Sequence, residues 1–257
     1  MNTISPPPQI KRLSGPKRVL GVVVGVTAGL GANVLLGYSL ANFYTRNTKF
    51  VPYDTSSPDL ATSLFKKHNP TSNPPVCIDH AVKAIPYGKL PEKYWAKSKE
   101  GRISVDQGKL ATDFCRGIWS GVGYRIQRRY MERKYRALPG REEQLWDVKE
   151  LEASEYPVGT IVTDHFEVVE HTPEKVIVRC GDSPFNTDHR PSDGLFSMEV
   201  SKDDEAQIAT FHLKSVFVNT TPEGKDSQPL PWNFQFAHRW YTKLWMEGAT
   251  RQVLKDA

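Results

Sequence analysis

Cysteine is scarce in this chain. Only Cys77, Cys115 and Cys180 occur among 257 residues, far apart and with no C-x-x-C pair. That spacing excludes a disulfide framework or a recognisable zinc motif as the organising principle. A single bridge in an oxidising lumen stays open, but burial as small apolar side chains is the simpler expectation. Catalytic signatures are missing as well: no nucleophile elbow, H-E-x-x-H, Walker loop or EF-hand is present. The sequence therefore implies no cofactor and no metal. Charge of one sign is also modest. A formal net charge of +5 is ordinary surface chemistry, and without a wide basic surface nucleic acid is not an expected partner.

The same scarcity, taken locally, becomes a signal. From Val19 to Thr45 there is no charged residue, while Lys17, Arg18 and Arg46 close the window. A helix needs roughly 20 residues to cross about 30 Å of hydrocarbon, so residues 19–45 are expected to form one transmembrane helix. Gly21, Gly25 and Gly29, continued by Asn33 and Gly37, fall at every fourth position. Such a stripe lets helices approach closely in a bilayer, which makes membrane lipid and a second copy of the chain expected partners. Lys11, Arg12, Lys17 and Arg18 outweigh Arg46 and Lys49 across the window. The bias makes a single-pass membrane protein with its N-terminus on the cytosolic or matrix side, the organelle being open. Asn219-Thr220-Thr221 makes Asn219 a glycosylation candidate. A rival reading takes Gly25-Val-Thr-Ala-Gly29-Leu-Gly31 as the phosphate-binding turn of a short-chain dehydrogenase. No acidic residue follows at the ribose position, and neither a Tyr-x-x-x-Lys pair nor a β-α series comes later.

Residues 1–18, with Pro6-Pro7-Pro8, read as a disordered basic tail, and 46–76 as a flexible linker with a short helix over Asp59–Lys67. The folded domain is expected over 77–257, opening with a strand at Ile78–Ile85. Leu110, Phe114, Ile118, Val122 and Ile126 then recur at helical spacing, with Asp106 or Ser104 placed to cap. Gly117, Gly121 and Gly123 weaken or split that helix, and their repetition points to close packing against something flat, a sheet or a ligand. The basic stretch Arg125–Arg136, with tyrosines interleaved, reads as a solvated helix face whose tyrosines pack inward, with a patch for anionic lipid as the main alternative and an RNA-binding helix the lesser one. Period-two alternation follows in Thr160–Glu170, Val176–Cys180, Leu195–Val200 and Gln207–Asn219, an antiparallel meander. Ala237, Trp240, Tyr241, Leu244, Trp245 and Gly248 finally mark an aromatic face on a closing helix, suited to covering a sheet or filling a cavity.

This is an α+β layout. Asp79-His80-Ala81-Val82-Lys83-Ala84-Ile85-Pro86, Tyr-Pro-Val-Gly-Thr at 156–160, and Phe236-Ala237-His238-Arg239-Trp240-Tyr241 with Trp245-Met246 resemble the START-like helix-grip (SRPBCC-type) superfamily. More narrowly they resemble a family within it found in bacteria and fungi. The resemblance covers roughly 77–255 and rests on element order and loose local similarity. It implies a curved antiparallel sheet packed on the long C-terminal helix, with an apolar cavity between them; the transmembrane helix in front departs from the usual form. The family has no established catalytic residues to carry over.

Strand alternation puts His165 on a face with Ile161 and Glu167, and His212 with Val216 and Val218. Either becomes the acid/base group if it points into such a cavity. Arg179, between Val178 and Cys180, is a candidate anchor for an anionic group. Phe196, Met198, Trp240 and Leu244 are the expected apolar lining. The loop carrying Asp182, Asp188, His189, Arg190 and Asp193 groups carboxylates with an imidazole, although Asp is also a common loop former. The expected function is a membrane-anchored domain that binds a hydrophobic small molecule or lipid, as a carrier or a cyclase-like tailoring enzyme. A structural or assembly membrane protein is the alternative, and a short-chain dehydrogenase-like oxidoreductase the minor one.

Overall fold

In the computed structural model, which describes residues 36–96 and 103–255, the alternation of the sequence becomes a seven-stranded sheet. Its first members are β1 (Lys49–Phe50) and the long β2 (Pro75–Pro86). A separate two-stranded ribbon pairs β3 (Trp95–Ala96) with β4 (Ser104–Val105). The main sheet resumes with β5 (Ile161–Val162), β6 (Phe166–His171), β7 (Lys175–Cys180), β8 (Asp193–Asp203) and β9 (Ile208–Val218). The order across it is β1-β2-β9-β8-β7-β6-β5, antiparallel at every step. β5 to β9 form a meander as expected, except that the strand expected over Thr160–Glu170 turns at Thr163–His165 and pairs with itself as β5 and β6. β2 joins it beside β9, pairing Asp79 with Ser215 and Ala81 with Leu213.

Because side chains alternate across a strand, β2 buries Cys77, Asp79, Ala81, Lys83 and Ile85 on one face. Val178, Phe196, Met198, Phe211 and Leu213 continue this inner face. Among the described residues of the unit that starts at Thr45, five α-helices accompany the sheet: α1 (Ser63–His68), α2 (Gln107–Ser120), α3 (Arg125–Tyr135), α4 (Val148–Ala153) and α5 (Trp232–Val253). α2 and α5 lay Phe114, Ile118, Trp119, Trp245, Met246 and Ala249 into the inner core. Asp106 caps α2 as its sequence implied, accepting from the Lys109 amide at 3.0 Å.

The helix expected to run on through Ile126 ends at Ser120. Val122 and Ile126 are exposed, so the four-residue stripe stops at Ile118. A Cβ on Gly117 would come 2.9 Å from Ala249 Cα, and one on Gly123 2.9 Å from Trp245 Cδ1. The close neighbour is thus the backbone of α5, a helix rather than a flat surface. α5 itself is turned by about one residue from the expected stripe. Thr242, Trp245, Met246, Ala249, Thr250 and Val253 are buried, whereas Trp240 and Leu244 are half-buried. The turn is explained by Glu247, fully buried, whose carboxylate pairs with Lys83 Nζ at 2.7 Å and accepts from Thr48 Oγ1 at 2.9 Å. A stripe drawn through aromatics leaves out a buried ion pair.

Residues 46–76, expected as a flexible linker, belong to the folded unit that starts at Thr45. The outer sheet face is apolar at Ile78, Leu195, Val216 and Val218, and it is covered by Phe65 of α1 together with Leu60 and Tyr53. Asn73 ties the segment to the far end of β9 by donating to the carbonyls of Asn219 and Thr221 at 2.6 and 2.9 Å.

The membrane expectations need correction. Among the described residues no helix is long and apolar enough to cross a membrane. Residues 19–35, with Gly21, Gly25, Gly29 and the dehydrogenase-like turn, lie outside the described residues. The described remainder of the expected span, 36–44, is helical. α5 has the length, yet Arg239, Lys243, Glu247 and Arg251 lie along it. A transmembrane helix, a single-pass location and an N-terminus assigned to one side of a bilayer therefore have no support in the structure.

Candidate functional site

The packing of α5 and α3 over the sheet leaves a cavity of about 320 Å³. Its floor is the inner sheet face at Phe166, Cys180, Phe196, Ser215 and Phe217, and its walls are Met131 and Tyr135 of α3 with His238, Tyr241, Thr242 and Trp245 of α5. Edge-to-face contacts fix the aromatic part. Trp245 meets Phe196, Tyr241, Tyr124 and Trp119 with ring centroids 5.1–5.6 Å apart, the geometry favoured by ring quadrupoles. The Tyr241 hydroxyl donates to Gln127 Oε1 at 3.1 Å, and burial raises its pKa to about 12. It is a neutral donor at physiological pH.

Several polar atoms of this apolar chamber are left without a partner. Ser215 Oγ and His238 Nε2 are buried and make no hydrogen bond among the described residues, whereas the indole of Trp245 is turned toward the Tyr241 hydroxyl. An orphaned buried polar group costs about 1–3 kcal/mol, so such atoms cluster where something else satisfies them.

Two carboxylate–imidazole pairs meet the cavity. Asp164 is fully buried; its Oδ1 accepts from Arg141 Nε at 2.8 Å, and its Oδ2 lies 3.0 Å from His165 Nδ1. His165 packs against the Tyr135 ring, the two tilted by 51° with centroids 4.6 Å apart. Burial holds its imidazole below the ordinary histidine value, against the pull of Asp164 and Asp182. The turn that delivers this pair is strained: Thr163 and Asp164 both take positive φ, 45° and 68°, a conformation that non-glycine residues rarely adopt. The Tyr124 hydroxyl bonds the Thr163 hydroxyl, and the Asp164 amide donates to Gln144 Oε1 at 2.9 Å, which holds the turn in place. Strain of this kind tends to persist at functional sites.

The second pair joins the two ends of the folded unit. Asp79 of β2 has its side chain fully buried, and its Oδ2 lies 3.1 Å from His238 Nε2 of α5. The approach is close but not aligned, and neither Asp79 oxygen takes a directional hydrogen bond from any described residue. Cys77, two residues earlier on the same strand face, completes a cluster whose ligand atoms all lie within 4.8 Å of one another. Burial raises the Cys77 thiol to about 11, with Asp79 adding to the shift and Arg239 opposing it. The expectation of no metal rested on sequence spacing, and these three residues stand too far apart in the chain to form a spacing motif.

The residues singled out from sequence are distributed as follows. His165, Phe196 and the inner end of Trp245 face the cavity. Met198 is fully buried in the core beneath α2 and does not reach it, and Trp240 and Leu244 are turned aside with the rotation of α5. His212 lies on the outer face, its Nδ1 2.9 Å from His80 Nε2 and its Nε2 2.9 Å from Ser201 Oγ. Arg179 is also on the outer face, forked onto Asp193 at 2.9 and 2.5 Å, so its charge is already matched. Asn219 Oδ1 accepts from the Thr221 amide and hydroxyl in a turn closed on itself. Gly37 has no described atom near its Cβ position. In the polar loop, Arg190 is 1% exposed and donates to the carbonyls of Asn186 and Asp182, a structural clasp rather than a reactive cluster. Cys77, Cys115 and Cys180 are all free and buried.

No protein-family model matches the chain, and neither the curated proteins nor the solved structures contain a match.

Proposed function

We propose that the domain binds one compact, largely apolar small molecule carrying a polar group, in the cavity between α5 and the inner sheet face. The observation that carries this reading is the orphaned Ser215 Oγ in a chamber lined mostly by rings. Its unmet hydrogen bond selects a ligand with an oxygen or nitrogen at one point, and the rings select its apolar body. At about 320 Å³ the space is at the small end of ligand sites, which run from about 300 to 1,000 Å³. A compact ring system suits it better than a two-chain lipid. The helix-grip resemblance supports the same placement of the ligand.

The test is native mass spectrometry of the full chain, followed by solvent extraction of what co-purifies. One ring-bearing molecule per chain, displaced in Phe196→Trp, which adds bulk to the cavity floor, is the expected result. A folded wild-type chain that carries nothing, and takes up no polarity-sensitive aromatic dye, would remove the basis of the reading.

A second reading makes the same cavity catalytic, with His165 as a base oriented by Asp164. It is favoured by the strained turn at Thr163 and Asp164. His165→Gln would then abolish conversion of the bound molecule while preserving its binding; equal loss of both would leave His165 as a lining residue.

A further inference from the structure

The cluster at Cys77, Asp79 and His238 has the chemistry of a metal centre, and it stands apart from the question of what fills the cavity. Cys77 and Asp79 project from one face of β2 by strand alternation, and α5 brings His238 down on them. Cys77 is 5% and Asp79 2% exposed. A carboxylate so buried is normally hydrogen-bonded on both oxygens or neutralised, yet both Asp79 oxygens and His238 Nε2 lack a hydrogen-bond partner among the described residues. Three groups with free lone pairs thus converge within 4.8 Å.

We infer that Cys77 Sγ, an Asp79 carboxylate oxygen and His238 Nε2 are the three protein ligands of a zinc-like divalent cation. Metal–ligand lengths of about 2.0–2.3 Å at tetrahedral angles put ligand atoms about 3.4–3.6 Å apart. The 3.1 Å between Asp79 and His238 is already close to that, and the widest separation contracts by about 1 Å, within a side-chain rotation. Ligand softness names the ion: thiolate with imidazole selects zinc over magnesium or calcium, which prefer oxygen alone. Binding releases the Cys77 thiol proton to solvent; the thiolate and carboxylate then balance the two positive charges of the ion, so the buried site is neutral. Arg239, the next residue on α5, is engaged with the Phe50 ring at 5.2 Å, and its charge favours the thiolate form of Cys77.

Three protein ligands leave a fourth position open, the arrangement of catalytic rather than structural zinc. His238 lines the cavity, and so do Ser215 and Phe217, the cross-strand partners of Asp79 and Cys77. The open position accordingly faces the chamber, where it would take water or a donor atom of a bound molecule.

The experiment uses the full chain, stripped with chelator and of any co-purified small molecule, and titrated with Zn²⁺ and with Co²⁺ alone. One ion per chain is expected, with a thiolate-to-cobalt charge-transfer band in the near ultraviolet and a rise in Tm on adding zinc. Cys77→Ser should abolish the band, and Asp79→Asn and His238→Gln should each weaken zinc binding at least about 100-fold, since even groups that merely support a ligand are worth about 10–100-fold. A wild-type chain without the thiolate band overturns the assignment whatever the variants do, and so does a band that Asp79→Asn leaves unchanged. The outcome does not depend on the cavity ligand, so the two readings fail separately.

Discussion

Adding one methyl group to Gly117 sets two effects of known size against each other. Gly117 lies inside α2, where alanine is better than glycine by about 1 kcal/mol on helix propensity alone. The new Cβ, however, would stand 2.9 Å from Ala249 Cα, 3.0 Å from Ala249 O and 3.1 Å from Ala249 Cβ. Two of those atoms are backbone of α5, so no rotamer change relieves the overlap, and the helices must part by a few tenths of an ångström. Overpacking of a tight core costs about 1–3 kcal/mol, which outweighs the propensity gain. Gly117→Ala is therefore expected to destabilise by about 1 kcal/mol, and by no more than about 2. Gly108, in the first turn of the same helix, supplies the control: its Cβ would meet only ordinary contacts at 3.6 Å. Gly108→Ala should stabilise by about 0.5–1 kcal/mol. Urea titration at a constant m-value reads both. If Gly117→Ala is as stable as the wild type or more so, α5 is not seated against α2 as described, and the cavity geometry that depends on α5 falls with it.

Ser215→Ala should raise stability by about 1 kcal/mol by removing an orphaned buried hydroxyl, while weakening any cavity ligand that uses a polar anchor; thermal melts with and without the extracted ligand show both. Glu247→Ala leaves Lys83 buried without its partner 2.7 Å away, and a loss of about 3–5 kcal/mol is expected by denaturant titration. Burial lowers both His68 and His80 to about 4, below the value of about 6.5 they hold unfolded. The unfolded chain then binds more protons, so the stabilisation is whole above pH about 6.5 and is lost as pH falls through about 4. Tm measured from pH 7 to 4 should fall, and fall less in His80→Gln; an equal fall in that variant assigns the acid sensitivity elsewhere.

The sequence made the local elements legible and left their combination obscure. Three of the four expected meander strands and the first strand at Ile78–Ile85 are found within a few residues of where alternation placed them, because one buried face imposes period two. The fourth, Thr160–Glu170, is folded back on itself at Thr163–His165 into β5 and β6. α2 starts at its predicted cap for an equally local reason. The partner of β2 had no local signal: its pairing with β9 is decided by which edge of the meander remains open. The cavity residues were split for the same cause. Phe196 and Ser215 follow from strand alternation, whereas His165 reaches the cavity from a turn that breaks the expected strand, and Tyr241 and His238 depend on how α5 is rotated. Polar residues in a core carry no hydrophobic period, so Asp79 looked like an ordinary strand residue. The uncharged window at 19–45 satisfied criteria of length and apolarity together, and none of the helices described meets both.

The β2–β9 pairing also bears on how the protein comes into being. β2 is made early and waits for the last strand of the meander before its inner edge is paired, and α5 follows later still. Loop closure of that length makes folding slow, and on the ribosome the early strand stays an open edge until synthesis is nearly done. Cys77 and Asp79 meet His238 only at that final step. The cluster exists only in a chain that has closed, so a truncation before α5 would lose the site together with the cover of the sheet, and metal uptake would serve as a signal of completed folding.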